Sequence, residues 1–120
     1  KGRDDYLAIF ENQSQIQNMQ PNFQQLAKLK ARGLVISAPG TQVDFVSRCF
    51  YPQTGVDEDP VTGSAHTMLI PYWAKHLDKI EFQAHQLSAR GGALNCKLKN
   101  DRVLIAGKSV VYFEGMISII

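Results

Sequence analysis

The chain has too little cysteine for a disulfide scaffold. Cys49 and Cys96 are its only two among 120 residues, where small stapled domains carry several pairs. They stand in unrelated contexts, so each reads as a small apolar packing group. Long hydrophobic runs are missing as well. None approaches the roughly 20 apolar residues that span a bilayer, and the opening Lys1-Gly2-Arg3-Asp4-Asp5 is no signal-peptide core. Nor does one charge dominate. Thirteen Lys and Arg face eleven Asp and Glu, a formal net charge of +2 spread along the chain, which leaves no electrostatic footprint for nucleic acid or an anionic membrane. A soluble, cytoplasmic protein that engages neither is expected. His66, His76 and His85, with the two cysteines, lack zinc-ligand spacing, so no metal site is expected.

What is present is ordinary globular material, 44% hydrophobic and 20% charged, enough to bury a core. The length suits one domain spanning residues 1–120. The first residue is Lys1, and a strand-like run starts almost at once at Tyr6, so the chain is expected to begin partway through a longer polypeptide.

Tyr6 to Phe10 is short and apolar, which predicts a strand, and a Gln/Asn-rich turn follows. Pro21-Asn22 opens a segment in which Phe23, Leu26 and Leu29 recur at helical spacing up to Arg32, with Gly33 as the stop. Leu34 to Ala38 and Asp44 to Tyr51 read as strands. Ala65 to Leu77 is apolar on nearly every side, the mark of a helix surrounded by other structure, and Pro71 should kink it. Strands are predicted again at Ile80 to Ala84, Ala93 to Lys99, Arg102 to Ala106, Ser109 to Glu114 and Met116 to Ile120, with a tight turn at Asn100-Asp101. Many strands around one helix predict an α+β domain whose sheet curls about that helix.

The turn-rich loop from Gly55 to Ser64 carries the chemistry. A helix starting at Gly63 or Ser64 offers unpaired N–H groups and the positive end of its dipole, which attract a carboxylate or phosphate. Gly63 admits a close ligand, and the hydroxyls of Thr62 and Ser64 add donors or cap the helix. Asp59, just upstream, is placed to act as acid or base. The plainer reading is capping plus a solvated acidic turn, and these residues by themselves leave both open. Ser64 and His66 do not form a nucleophile and base, because positions two apart on a helix point to different sides. His66 reads as a core histidine, Tyr72 and Trp73 as core packing, and Gly91-Gly92 as a turn or bulge.

The stretch Gly55-Val56-Asp57-Glu58-Asp59-Pro60-Val61-Thr62-Gly63-Ser64-Ala65-His66 resembles the signature of the C-terminal half of phenazine-biosynthesis (PhzF) proteins, relatives of diaminopimelate epimerase. The likeness extends to Asp44 to Arg48, Pro71 to Ala74, Gln86 to Gly92 and Asp101 to Val103. It implies a diaminopimelate epimerase-like lobe, a curled mixed sheet wrapped around a central buried helix, facing a twin N-terminal lobe across an active-site cleft. It further implies an isomerase or epimerase that moves a proton between carbons of a small carboxylic acid without a cofactor. On that pattern Asp59 assists the proton, and Thr62, Gly63 and Ser64 bind the substrate carboxylate. The family's principal base, a carboxylate, and its Gly-His-Pro segment belong to the N-terminal lobe and have no counterpart here. The two-cysteine pair of the epimerases is not matched by Cys49 and Cys96. The contrasting expectation is a lobe that binds a small carboxylate, or assembles, without turnover. Its apolar face would meet the twin lobe or, in a homodimer, a second copy.

Overall fold

A computed structural model describes residues 2–120. Six strands lie side by side in the order β1 (Asp5–Ile9), β2 (Gly33–Pro39), β3 (Phe45–Tyr51), β5 (Glu81–Gln86), β6 (Gly92–Lys99) and β7 (Arg102–Ala106). The short β4 (Val56–Glu58) pairs with β3 off this path. β1 and β2 run parallel, as do β3 and β5, while the remaining pairs are antiparallel, so the sheet is mixed. A parallel pair needs a crossover. Between β3 and β5 that crossover is β4 and the helix α3 (Gly63–Leu77).

Burial follows side-chain period. β5 buries Phe82, Ala84 and Gln86 and exposes Glu81, Gln83 and His85, the alternation of a sheet covered on one face. The central strands are covered on both. Val35, Phe45 and Cys49 pack with Leu69, Ile70 and Trp73 of α3, while Ile36, Ala38, Val46 and Phe50 pack with Ile16 on the opposite side. Trp73 anchors the larger cluster: its ring stacks on Phe45 with centroids 5.6 Å apart, and its N–H donates to Ser37 Oγ at 3.0 Å.

Four local expectations change. The Gln/Asn-rich turn contains a helix, α1 (Gln13–Gln17), made by an Asn12–Gln15 capping box and the fully buried Ile16. The predicted helix from Phe23 to Arg32 is helical only over α2 (Phe23–Leu26). Beyond it Lys28 and Leu29 bond three residues back, and Gln53 Nε2 donates to the carbonyls of Leu26 and Leu29 in place of a further turn. α3 runs through Pro71 as one helix and is not covered all round. Ala65, His66, Leu69, Ile70 and Trp73 form its buried stripe, and Ser64, Thr67, Pro71 and Lys75 stay exposed. Residues 109–120 form no strand. Val110, Val111, Tyr112, Phe113, Met116, Ile117 and Ile119 are each 82% exposed or more, because a strand needs a neighbour to complete its hydrogen bonds and none lies beside them among the described residues.

Candidate functional site

Asp59 leaves β4 with its N–H donating to the Cys49 carbonyl at 3.0 Å, so the loop starts tied to β3. It is clamped again from β5. The Gln86 carboxamide accepts the Thr62 N–H at 2.8 Å and donates to the Asp59 carbonyl at 2.8 Å and to Thr62 Oγ1 at 3.0 Å. Ser88 Oγ donates to the Pro60 carbonyl at 2.7 Å. Gly92 lets Val61 lie close, since a Cβ there would stand 2.6 Å from Val61 Cγ2.

Thr62 occupies the N-cap of α3 without capping it. Its hydroxyl donates to Asp59 Oδ2 at 2.5 Å instead, which replaces the capping role offered by the sequence. Among the described residues no side chain therefore caps this end of a 15-residue helix, where the first-turn N–H groups and the dipole favour an anion. A Cβ built on Gly63 would meet nothing within 4 Å; the glycine faces open space.

Ser64 is exposed beside it, and its Oγ accepts from Arg32 Nη2 at 3.2 Å. Arg32 is held in turn by a two-pronged pair with Asp5, at 2.9 and 2.5 Å, and its guanidinium lies 5.3 Å from the Tyr51 ring centre. The Asp5 carboxylate raises the Arg32 pKa, so the guanidinium stays charged. Arg32, Tyr51, Thr54, Val56, Asp59, Thr62 and Ser64 line one cavity of about 250 Å³. A larger groove of about 800 Å³ beside β5, β6 and β7 carries Asp44, Lys79, Glu81 and Lys97. These four charges pair with one another at 2.7 and 2.5 Å, and none of the chemistry-bearing loop reaches that groove.

Behind the loop the groups are held neutral. Burial pushes the Cys49 thiol up to about 12, raises the Tyr51 phenol and lowers His66 below its ordinary 6.5. His66 Nδ1 lies 2.7 Å from the Thr62 carbonyl. A carbonyl only accepts, so Nδ1 carries the proton; Nε2 is left buried without a partner among the described residues. His66 is a core histidine satisfied on one side only. Both cysteines are buried and unpaired.

Asp59, Thr62, Gly63 and Ser64, singled out in the sequence, thus converge on one helix start. Arg32, Tyr51 and Gln86 were not singled out as site residues. Arg32 and Tyr51 reach the cavity through long-range pairing of β1, β2 and β3. Gln86 did leave a signal, a polar side chain in the inward register of Phe82 and Ala84.

A curled mixed sheet holding a helix whose open N-terminus adjoins a carboxylate defines a lobe of the diaminopimelate epimerase-like class. Within that class, residues 1–115 match the family described as Phenazine biosynthesis-like protein, and the chain belongs to it. It is 51% identical over 114 residues to an uncharacterized isomerase of Pseudomonas aeruginosa, covering 95% of this chain and 44% of that protein. A PhzF-family protein crystal structure from Enterococcus faecalis superposes with a TM-score of 0.88 at 41% identity, over 93% of this chain and 43% of that one. A putative PhzC/PhzF protein from Clostridium difficile gives 0.86 at 44% identity, over 96% and 45%. The chain therefore spans less than half the length of the relatives it matches. No described helix is long and apolar enough to cross a membrane.

Proposed function

We propose that this chain is the C-terminal lobe of a two-lobed, cofactor-independent isomerase that shifts a proton between carbons of a small carboxylic acid. The relatives named as isomerases support the reaction class. The observation that carries the half-site is the meeting, in one cavity, of the Asp59 carboxylate, Ser64 and the uncapped start of α3. In this reading the substrate carboxylate sits at Gly63 and Ser64, where N–H groups, the helix dipole and the serine hydroxyl stabilise its charge. Arg32 donates to Ser64 Oγ, which leaves the serine proton available to the ligand.

A base on the N-terminal lobe removes a proton from one carbon of the bound acid, and the same proton or a solvent proton is delivered to another carbon. Asp59 assists that delivery. The apolar, exposed residues 109–120 support a covering partner, the N-terminal lobe, with a second copy of the chain as its substitute when the lobe is missing. Two unpaired thiols fit a reducing, cytoplasmic setting.

The test is hydrogen–deuterium exchange at carbon. The full-length protein is incubated in deuterated water with a panel of small carboxylic acids bearing an activated C–H, followed by proton NMR. Wild type is expected to exchange at least one acid, and Asp59→Asn to slow that exchange about 100-fold, the lower end for a positioned acid or base. Undiminished exchange in Asp59→Asn would overturn its role. Binding of an acid with no exchange in wild type would favour the second reading, a carboxylate-binding lobe without turnover, for which the Arg32–Ser64 contact is the supporting feature.

A further inference from the structure

We infer that Gln86 is a positioning residue for the site, a buried amide that fixes the direction in which Thr62 gives its hydroxyl proton. The inference rests on the reading of Asp59 as the group that assists proton movement. Gln86 closes β5 with 1% of its surface exposed, in register with Phe82 and Ala84, where an apolar side chain of the same size would pack. A buried carboxamide is unfavourable unless its donors and acceptor are matched. Here they are matched entirely by the loop that carries Asp59 and Thr62.

The polarity is fixed by chemistry. The Thr62 backbone N–H can only donate, so the atom facing it at 2.8 Å is Oε1. The Asp59 carbonyl can only accept, so the atom facing it at 2.8 Å is Nε2. With the amide thus oriented, Nε2 also donates to Thr62 Oγ1 at 3.0 Å. A threonine hydroxyl has one proton. Receiving a bond from Gln86, it directs that proton to Asp59 Oδ2, 2.5 Å away. Gln86, Thr62 and Asp59 form a chain of donors running one way, and Asp59 is held as the acceptor at its end.

Two variants of the full-length protein separate positioning from simple support of the loop. Gln86→Leu keeps the volume and removes every bond. Gln86→Glu keeps an acceptor for the Thr62 N–H and removes both Nε2 donations, so the Asp59 carbonyl loses its partner and the Thr62 hydroxyl lies between two carboxyl groups and is drawn away from Asp59. Amide hydrogen exchange of residues 59–64, followed by mass spectrometry, reads the loop without any substrate. Gln86→Leu should speed that exchange about tenfold or more, as expected when a local opening becomes easier, and Gln86→Glu, which keeps one of the three bonds, should fall between Gln86→Leu and wild type. With the acid that wild type exchanges, Gln86→Glu should lose about tenfold or more in kcat with KM little changed, the pattern for a group that acts on the reacting state.

Unchanged amide protection in Gln86→Leu would overturn the clamp. Wild-type kcat in Gln86→Glu, or kcat losses in the two variants that merely follow their amide exchange, would overturn the orienting role and leave Gln86 as structural support only. Failure of the underlying reading looks different. Asp59→Asn would then exchange as wild type does, whatever the two Gln86 variants do to amide protection.

Discussion

Arg48 ties three parts of the fold together, and its replacement has a magnitude that can be worked out. From β3 its Nε and Nη2 meet both oxygens of Glu58 on β4, at 2.7 and 2.9 Å. Nη1 donates to the carbonyls of Ile16 and Met19, at 3.1 and 2.8 Å, at the end of α1. Its guanidinium lies 5.1 Å from the Phe50 ring centre. Glu58 directly precedes Asp59, so this pair also fixes where the Asp59-to-Ser64 loop begins. Removing one partner of a fully buried pair costs about 3–5 kcal/mol. The two side chains retain 12% and 19% exposure, and water entering at Glu58 lowers that to about 2 kcal/mol. Two carbonyls losing a charged donor add about 1 kcal/mol.

Arg48→Met retains the aliphatic stem over Phe50, so the expected loss is about 3 kcal/mol. Glu58→Gln, which leaves Arg48 a neutral acceptor and its two carbonyls, should lose about 1 kcal/mol. Urea unfolding of the full-length protein, followed by far-ultraviolet circular dichroism, measures both and the double variant. The double variant should be less destabilised than the sum, by about 1 kcal/mol. Strict additivity, or an Arg48→Met protein within about 0.5 kcal/mol of wild type, would refute the claim that this pair holds β4 to the sheet.

Two further outcomes are expected. Burial holds His66 below its ordinary 6.5, so the unfolded chain takes up the proton first. Its contribution is fully present above pH 6.5 and is lost as pH falls toward the folded value, by up to about 1.4 kcal/mol per pH unit. Unfolding series at several pH values should therefore show a steeper acid loss for wild type than for His66→Phe, and equal slopes would count against a neutral buried imidazole. Gly92→Ala would place a methyl 2.6 Å from Val61 Cγ2 and destabilise by about 1–3 kcal/mol through overpacking. Val61→Ala in the same protein should recover part of that in a thermal melt, and a melt with no recovery would show that the clash is relieved elsewhere.

The strands at Leu34 to Ala38, Asp44 to Tyr51, Ala93 to Lys99 and Arg102 to Ala106 could be read from β-branched or alternating runs bounded by turn formers, because side-chain period is a local property. The same holds for α3 and for the Asp59-to-Ser64 loop, whose residue types mark a helix start. Where local spacing misled, a distant partner was the cause. Ser109 to Glu114 and Met116 to Ile120 are apolar enough to read as strands but form none without a neighbour to bond to. The helix beginning at Phe23 stops after Leu26 because Gln53, far along the chain, takes over its carbonyls.

Asp59, Thr62, Gly63 and Ser64 lie within six residues of one another, so chain order alone brings them to one place, and their identities carry the chemical reading. Arg32, Tyr51 and Gln86 come from 24 to 32 residues away along the chain from the groups they serve, or from another strand of the sheet. Their place at the site follows from strand register, the β2–β3 and β3–β5 pairings that align Leu34 with Phe50 and Ser47 with Gln86. Register is set by the whole buried face at once, since a shift by one residue would turn every side chain to the opposite side of the sheet. A hydroxyl's direction depends on the same long-range order. Thr62 can cap a helix or serve Asp59, and it serves Asp59 because the folded sheet brings the Gln86 amide to its oxygen.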